Sequence, residues 1–185
     1  MWILTALGWE LHADFPDLKK YVIIAAPHTS NWDFPLGILL VKALKMDVNW
    51  LGKHTIFRWP FGVLFRALGG TPVDRTQSLN VIQQTTDLFK QADTLVFALA
   101  PEGTRSKTDH WKTGFYHIAM AANVPIALGY LDFGRKQVGV SDTFYPSGDI
   151  EADFKWLAEY YEDKHGKNPE NTSLIQAKEK LKEPR

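Results

Sequence analysis

The chain has 185 residues, of which 45% are hydrophobic and 23% charged, a composition that predicts one globular domain with a sizeable core and argues against disorder. Lys plus Arg and Asp plus Glu both number 21, so the net charge is zero and a nucleic-acid partner is disfavoured. The absence of cysteine excludes disulfides, thiolate nucleophiles and cysteine metal ligands, and it fits a cytoplasmic location.

The first predicted elements are an apolar stretch, a strand and a helix. The apolar part of MWILTALGWELHADF covers about eight residues, too few to span a membrane, and it lacks the basic flank of a signal peptide. The run YVIIAA (residues 21–26), which ends before Pro27, predicts a buried strand. The apolar segment that follows predicts a largely buried helix from about Phe34 to Leu44, with Pro35 in its first turn.

Strand-like and helical patterns alternate through the rest of the chain. Further strands are predicted in VNWLGK, TPVDR, DTLVFALA, VPIALGYLDF and KQVGVSDTFYP, and helices in GVLFRALGG, SLNVIQQTTDLFKQA, TGFYHIAMAANV and DIEADFKWLAEYYEDKHG. This alternation predicts a single α/β domain over residues 1–185, with a mostly parallel central sheet flanked by helices. We expect a motif-bearing core over about 20–150, then a C-terminal helix capped by Asp149 and a polar tail over about 150–185.

Polar clusters follow three of these strand-like runs, in HTSNWD, GGTPVDR and PEGTRS. Ligands of open α/β sheets bind outside the carboxyl ends of the strands, so these clusters are the candidate functional residues. If His28 lies in the loop and Asp33 at the helix start, Asp33 would hold one imidazole nitrogen as a donor and leave the other free as a general base. The alternative is structural: Asp33 caps the helix and His28 only bonds within the loop.

The chain contains neither a cysteine nor a G-x-S-x-G elbow that would present a serine. A His–Asp pair without its own nucleophile predicts that the substrate supplies the hydroxyl. In PEGTRSK, Arg105 and the backbone around Gly103 suit a phosphate, although a surface turn with an internal Glu–Arg pair explains the same residues. Taken alone, Asp74 and Arg75 are charges facing water.

Taken together, the clusters resemble the motifs of a known family, the glycerolipid acyltransferases of the 1-acylglycerol-3-phosphate (lysophosphatidate) type. HTSNWD is similar to the family's H-x4-D block, GGTPVDR to its second block and PEGTRS to its third. Val124, Pro125 and Ile126 resemble a later Val-Pro-Ile block, and Lys53 with Pro60-Phe61-Gly62 resembles an element that often precedes the second block. Order and approximate spacing agree from about Ile23 to Tyr130.

The resemblance implies a glycerol-3-phosphate acyltransferase-like fold and an O-acyltransferase in phospholipid biosynthesis or remodelling. His28 would be the general base, oriented by Asp33, for a lysophospholipid hydroxyl that attacks the thioester of acyl-CoA or acyl-carrier protein. We expect neither a metal nor another cofactor. The implied substrate-binding residues are Lys53, Arg75, Glu102, Gly103, Thr104 and Arg105.

Two departures from the family pattern concern lipid contacts. Ala100 stands where a bulky aromatic is commoner in the third block, which would alter the acyl or acceptor pocket. Many members carry an N-terminal membrane helix, whereas here the aromatic and basic segment IFRWPFGVLFR (residues 56–66) suits a lipid interface. Its aromatics would alternatively pack in the core, or divide, with Trp59 and Arg58 outside and Phe65 inside. The lipid reading predicts peripheral association with the inner face of the cell membrane.

Two other functions remain open from the sequence. An esterase or thioesterase would use the same base to activate water, and a non-catalytic lipid-binding module would keep the fold without needing His28. The remaining histidines show no metal-ligand spacing with carboxylates.

Overall fold

A computed structural model describes residues 2–13, 17–73 and 78–177. Its centre is a seven-stranded sheet formed by β1 (Glu10–Ala13), β2 (Lys20–Ala26), β3 (Val48–Lys53), β4 (Gly70–Val73), β5 (Leu95–Leu99), β6 (Ile126–Asp132) and β7 (Gln137–Phe144). The helices are α1 (Trp2–Ala6), α2 (Asp33–Ala43), α3 (Gly62–Ala67), α4 (Ser78–Gln91), α5 (Gly114–Ala122) and α6 (Ile150–Tyr161), with 3-10 turns at His54–Phe57 and Pro169–Asn171.

The strand order is β1-β7-β6-β2-β5-β3-β4, with β2 near the centre. Strands β6, β2, β5, β3 and β4 run parallel, while β7 is antiparallel to β6 and β1 runs parallel to β7. The β6–β7 turn is held by Asp132, whose Oδ1 accepts the backbone N–H groups of Gly134 and Arg135. The predicted α/β architecture with a mostly parallel sheet is therefore confirmed.

The central strand β2 is buried on both faces, as its continuous apolar run predicts. Val22 and Ile24 contribute to a core cluster with side chains of α4, α5 and α6, whereas Ile23 faces the opposite side. On that opposite side, Leu36 and Leu40 of α2 join a further cluster that includes Leu4 of α1. Helices thus cover both faces of the sheet.

Most predicted elements are present with bounds close to those expected, including the return strand β7 and the capped helix α6, where Asp149 Oδ1 accepts the N–H of Ala152. Two N-terminal elements, α1 and β1, were not predicted. β1 pairs Glu10 with Gln137, more than a hundred residues away, and such pairing leaves no local pattern in four residues. Among the described helices, none combines the length and apolar character needed to cross a membrane.

Candidate active site

The site lies where three adjacent parallel strands end. β5 pairs with β2 on one side and β3 on the other. His28 follows the end of β2, Glu102 follows β5, and Lys53 is the last residue of β3. The carboxyl ends of parallel strands share one edge of the sheet, so topology alone brings together residues that are up to 74 positions apart.

His28 and Asp33 form the predicted pair, with 2.9 Å between Nδ1 of the imidazole and Oδ2 of the carboxylate. Asp33 is buried, while the His28 side chain remains 22% exposed. Because Nδ1 is engaged by Asp33, the second ring nitrogen, Nε2, is the one left to meet a substrate. The geometry is that of a histidine base oriented by a carboxylate.

The β2–α2 loop (residues 27–32) folds back so that this pair can form. Ser30 donates its backbone N–H to Asp33 Oδ2 at 2.9 Å, and its hydroxyl accepts the N–H of Trp32. The N-cap of α2 is Trp32, not Asp33, and Asp33 lies in the first turn, where the helix dipole favours a negative charge. Asp33 therefore holds both the loop and the imidazole.

Glu102 is buried and its carboxylate points at the β2–α2 loop. Its Oε1 accepts the backbone N–H of His28 at 2.9 Å. Burial raises the pKa of Glu102, and the neighbouring charge of Asp33 adds to that effect, while the hydrogen bond from His28 opposes it. The residue expected to bind an acceptor thus also anchors the backbone of the candidate base.

The other candidate substrate-binding residues lie around the same edge. Gly103 has φ of 65°, a conformation that favours glycine, and a Cβ there would come within 2.9 Å of the Lys112 side chain. Arg105 and Lys53 are exposed, and both line the same cavity as His28 and Asp33. Thr104 is half-buried beside them. Arg75 lies outside the described residues.

Comparison with known families identifies the family of the chain. The sequence model of the family described as Acyltransferase matches residues 10–127, more than half of the chain and including both partners of the His28–Asp33 pair. The chain belongs to the acyltransferase family. The resemblance inferred from the motifs is thereby confirmed.

Similar proteins carry one name. The chain is 32% identical over 119 residues to the 1-acyl-sn-glycerol-3-phosphate acyltransferase of Escherichia coli (strain K12), covering 60% of this chain and 47% of that protein. It is 29% identical over 129 residues to the enzyme of the same name from Haemophilus influenzae, covering 64% and 52%. The chain thus spans about half the length of these relatives.

A solved structure shares the fold of this acyltransferase family member. The 1-acyl-sn-glycerophosphate (LPA) acyltransferase PlsC from Thermotoga maritima has a TM-score of 0.60, with 18% identity over 85% of this chain and 70% of that one.

A cavity of about 1270 Å³ adjoins the candidate site. Its lining joins the polar site residues to apolar side chains of the sheet and of α2, among them Ile23, Phe34, Ile38 and Val41. Two small residues also line it, Ala98 on β5 and Gly129 on β6, the two strands that flank β2. Ala100, the departure from the family's third block, also lines it.

The segment 56–66 divides between core and surface. Phe57 is buried, and it packs with Phe65 and Trp50 in an aromatic cluster. In contrast, several apolar side chains are exposed, Trp59 by 90% and Val63 by 73%. We call the exposed set the apolar patch: Ile56, Trp59, Phe61, Val63 and Leu64, with Arg58 and Arg66 exposed between them.

Sequence reasoning missed the contribution of the C-terminal residues to this site. Thr29, next to the candidate base, is 2% exposed and accepts two hydrogen bonds from Asn168. The only local signal was the Gly-Lys-Asn-Pro sequence at 166–169, which indicates a turn but not what the turn contacts.

Proposed function

We propose that this chain is an O-acyltransferase that moves a fatty acyl group from a thioester donor to the hydroxyl of a lysophospholipid. The observation that carries the proposal is the buried Asp33 carboxylate 2.9 Å from His28 Nδ1, at a cavity lined by apolar side chains. A polar catalytic pair beside a large apolar cavity suits an acyl substrate.

The reaction needs one base and no nucleophile from the protein. Nε2 of His28 takes the proton from the acceptor hydroxyl as its oxygen attacks the thioester carbonyl carbon. The new C–O bond forms, the C–S bond breaks, and the departing thiolate takes up the proton carried by His28. Asp33 keeps the imidazole oriented and stabilises its positive charge while the proton resides there.

The cavity beside His28 is the proposed acyl site. Its volume of about 1270 Å³ exceeds the roughly 300–1,000 Å³ common for ligand pockets, and a long flexible chain requires such space. The apolar side chains of α2 and the sheet would cover the acyl chain and leave the thioester carbonyl near Nε2. The donor is acyl-CoA or acyl-carrier protein, and the transfer as written needs no cofactor.

The acceptor is proposed to be an anionic lysophospholipid such as 1-acylglycerol-3-phosphate, in phospholipid biosynthesis or remodelling. The names of the similar enzymes from E. coli and H. influenzae support that acceptor. The exposed cations Arg105 and Lys53 line the cavity that His28 also lines, where they would meet a phosphate. Gly103 and Thr104 shape the same turn, and Arg75 belongs to the motif assigned to acceptor binding.

The apolar patch is proposed to bring the enzyme to the inner face of the cell membrane. Exposed Trp and Phe side chains with interspersed arginines match the composition of surfaces that insert at a lipid interface and meet anionic headgroups. Ile56 of the patch also lines the cavity, so the two surfaces are continuous. An acyl chain and its acceptor would then reach the site from the bilayer.

The test is the release of free thiol from a long-chain acyl-CoA and from acyl-carrier protein, with and without 1-acylglycerol-3-phosphate or other lysophospholipids. Transfer predicts thiol release that requires an acceptor and yields an equal amount of doubly acylated lipid. Release that is independent of acceptor would instead identify a thioesterase. If neither donor releases thiol with any acceptor, a lipid-binding module becomes the better account.

A further inference from the structure

The residues after α6 pack against the loops that form the candidate site. Residues 165–177, called here the C-terminal clasp, begin where the backbone carbonyl of His165 accepts the N–H of Phe133 at 2.8 Å, just beyond β6. The next residue, Gly166, lies so close to Thr29 that an added Cβ would come within 2.4 Å of its Oγ1. Only glycine fits at this approach without displacing the β2–α2 loop.

Asn168 then binds Thr29 twice. Its backbone N–H donates to the Thr29 hydroxyl at 3.2 Å, and its side-chain Nδ2 donates to the Thr29 carbonyl at 2.9 Å. Pro169 follows and disfavours a helical conformation of Asn168, whose φ is −118° and ψ is 87°. The clasp therefore presents Asn168 to the loop in one conformation.

The second half of the clasp binds the loop that follows β5 and carries Glu102. Ser173 Oγ accepts the N–H of Thr108 at 3.1 Å, and the Thr108 carbonyl accepts the N–H of Leu174. Further along, the N–H of Trp111 donates to the carbonyl of Gln176 at 3.0 Å. One continuous segment thus binds two of the motif-bearing loops, the β2–α2 loop and the loop after β5.

We propose that Asn168 is a positioning residue for His28, an inference that rests on the proposed function. The backbone around the base is held from two sides: Glu102 accepts the N–H of His28, and Asn168 donates to the carbonyl of Thr29, the next residue. Asp33 orients the imidazole, while these two backbone contacts fix the position of the ring. Small displacements of a catalytic group lower the rate without weakening substrate binding.

The proposal assigns a role to a part of the chain outside the family match. That match ends at residue 127, and the clasp begins 38 positions later. The clasp contacts the β2–α2 loop through Thr29, and none of the clasp residues lines the cavity. An effect of Asn168 on catalysis must therefore pass through the loop.

The test compares Asn168→Ala, Asn168→Asp and a matched control, Asn171→Ala. Asn171 belongs to the same segment, and its side chain makes no hydrogen bond among the described residues. We expect kcat for acyl transfer to fall about tenfold in Asn168→Ala, with KM for the acceptor changed less than about twofold. Asn168→Asp should be slower still, because a carboxylate oxygen would face the Thr29 carbonyl. A purely volume-filling role predicts the reverse order for the Ala and Asp variants.

A second readout does not depend on activity. In ¹⁵N-histidine-labelled protein, the Nδ1–H proton of His28, identified by its loss in His28→Ala, should broaden in Asn168→Ala and stay sharp in Asn171→Ala. If Asn168→Ala fails to fold, Thr29→Val replaces it, because this change removes only the hydroxyl acceptor. We then expect smaller changes in both kcat and the His28 signal.

An unchanged kcat with an unchanged His28 signal would overturn the proposal. Failure of the proposed function would look different: the wild-type protein would transfer no acyl group, yet the NMR comparison would still report whether Asn168 holds the loop. Adding Asn168→Ala to His28→Ala should cause no further loss of rate, because the first residue acts through the second.

Discussion

At the scale of single residues, the carboxylate of Glu102 holds the backbone of His28 in position. Its Oε1 accepts the N–H of His28, and its side chain is 3% exposed. A buried polar group that is hydrogen-bonded on one oxygen is costly to remove, because the partner N–H is then left unsatisfied. The third motif therefore contributes directly to the placement of His28, the proposed base.

Two substitutions separate this anchoring role from acceptor binding. Glu102→Gln keeps an oxygen acceptor for the N–H of His28 and should retain most of the activity, whereas Glu102→Ala should lose about 100-fold in kcat. Steady-state kinetics over a range of acceptor concentrations measures both. A Gln variant as impaired as the Ala variant, with a raised KM for the acceptor, would assign Glu102 to the acceptor instead.

The same residue predicts a pH-dependent stability. Burial raises the pKa of Glu102 above its ordinary value of 4.5, so the folded state keeps this proton to a higher pH than the unfolded chain does. The contribution of Glu102 to stability is therefore present below the ordinary pKa and is lost as pH rises through the raised one. The free energy of unfolding of Glu102→Gln minus that of wild type should increase as pH rises above the ordinary pKa of 4.5. Denaturant titrations at several pH values test this, and a flat difference would contradict it.

At the residue level, part of this site was predictable from the sequence. With His28 in the strand-to-helix loop and Asp33 at the helix start, the loop can turn back so that the two side chains meet, and the structure shows that contact. The contact of Glu102 with the His28 backbone is not local. It depends on β5 pairing directly with β2, and the strand order was not predicted from the sequence.

At the scale of elements, the apolar patch makes a prediction about membranes. Trp59→Ala should weaken binding to vesicles that contain anionic phospholipid by about tenfold to 150-fold, because burying a large aromatic side chain contributes roughly 1.5–3 kcal/mol. Tyr145→Ala is the matched control, since Tyr145 is an exposed aromatic outside the patch. Co-sedimentation with vesicles measures both variants. Equal binding by the two variants would remove the patch as the lipid contact.

Helix α6 supplies a stability prediction that is independent of chemistry. Asp149 caps it by accepting the N–H of Ala152 at 3.1 Å, and the clasp follows this helix. Asp149→Ala should lower the free energy of unfolding by about 1 kcal/mol, while Asp149→Ser, which can still cap, should lower it less. Thermal or denaturant unfolding decides between them. No loss in the Ala variant would mean that the cap bond adds nothing to stability.

Elements with strong local patterns were predictable, and elements defined by their partners were not. The amphipathic or apolar periods of α2, α4 and α6 and the apolar run of β2 identify those elements from sequence. The clasp has no such period, because it binds through single hydrogen bonds such as the pair from Asn168 to Thr29, 139 positions apart. Only the fold makes those residues neighbours.

At the scale of the whole molecule, the sheet brings the motifs to one edge. Described residues near the N-terminus and the C-terminus of the chain pack against the rest of this structure. The parallel strands β2, β5 and β3 end at one edge, and His28, Glu102 and Lys53 lie at or just beyond those ends. The N-terminal residues add β1 to the far edge of the sheet, and the C-terminal residues fasten the loops. Composition and alternation sufficed to predict this α/β class, since they reflect the whole chain at once.

The most direct test of the central claim is acyl transfer by His28→Ala, with His12→Ala as the matched control on the distant strand β1. We measure the doubly acylated product by mass spectrometry, using equal concentrations of folded protein. We expect His28→Ala to lose about 100-fold to 10,000-fold in rate, the usual contribution of a general base, while His12→Ala keeps the wild-type rate. Product formation by His28→Ala at the rate of His12→Ala would contradict the assignment of His28 as the base.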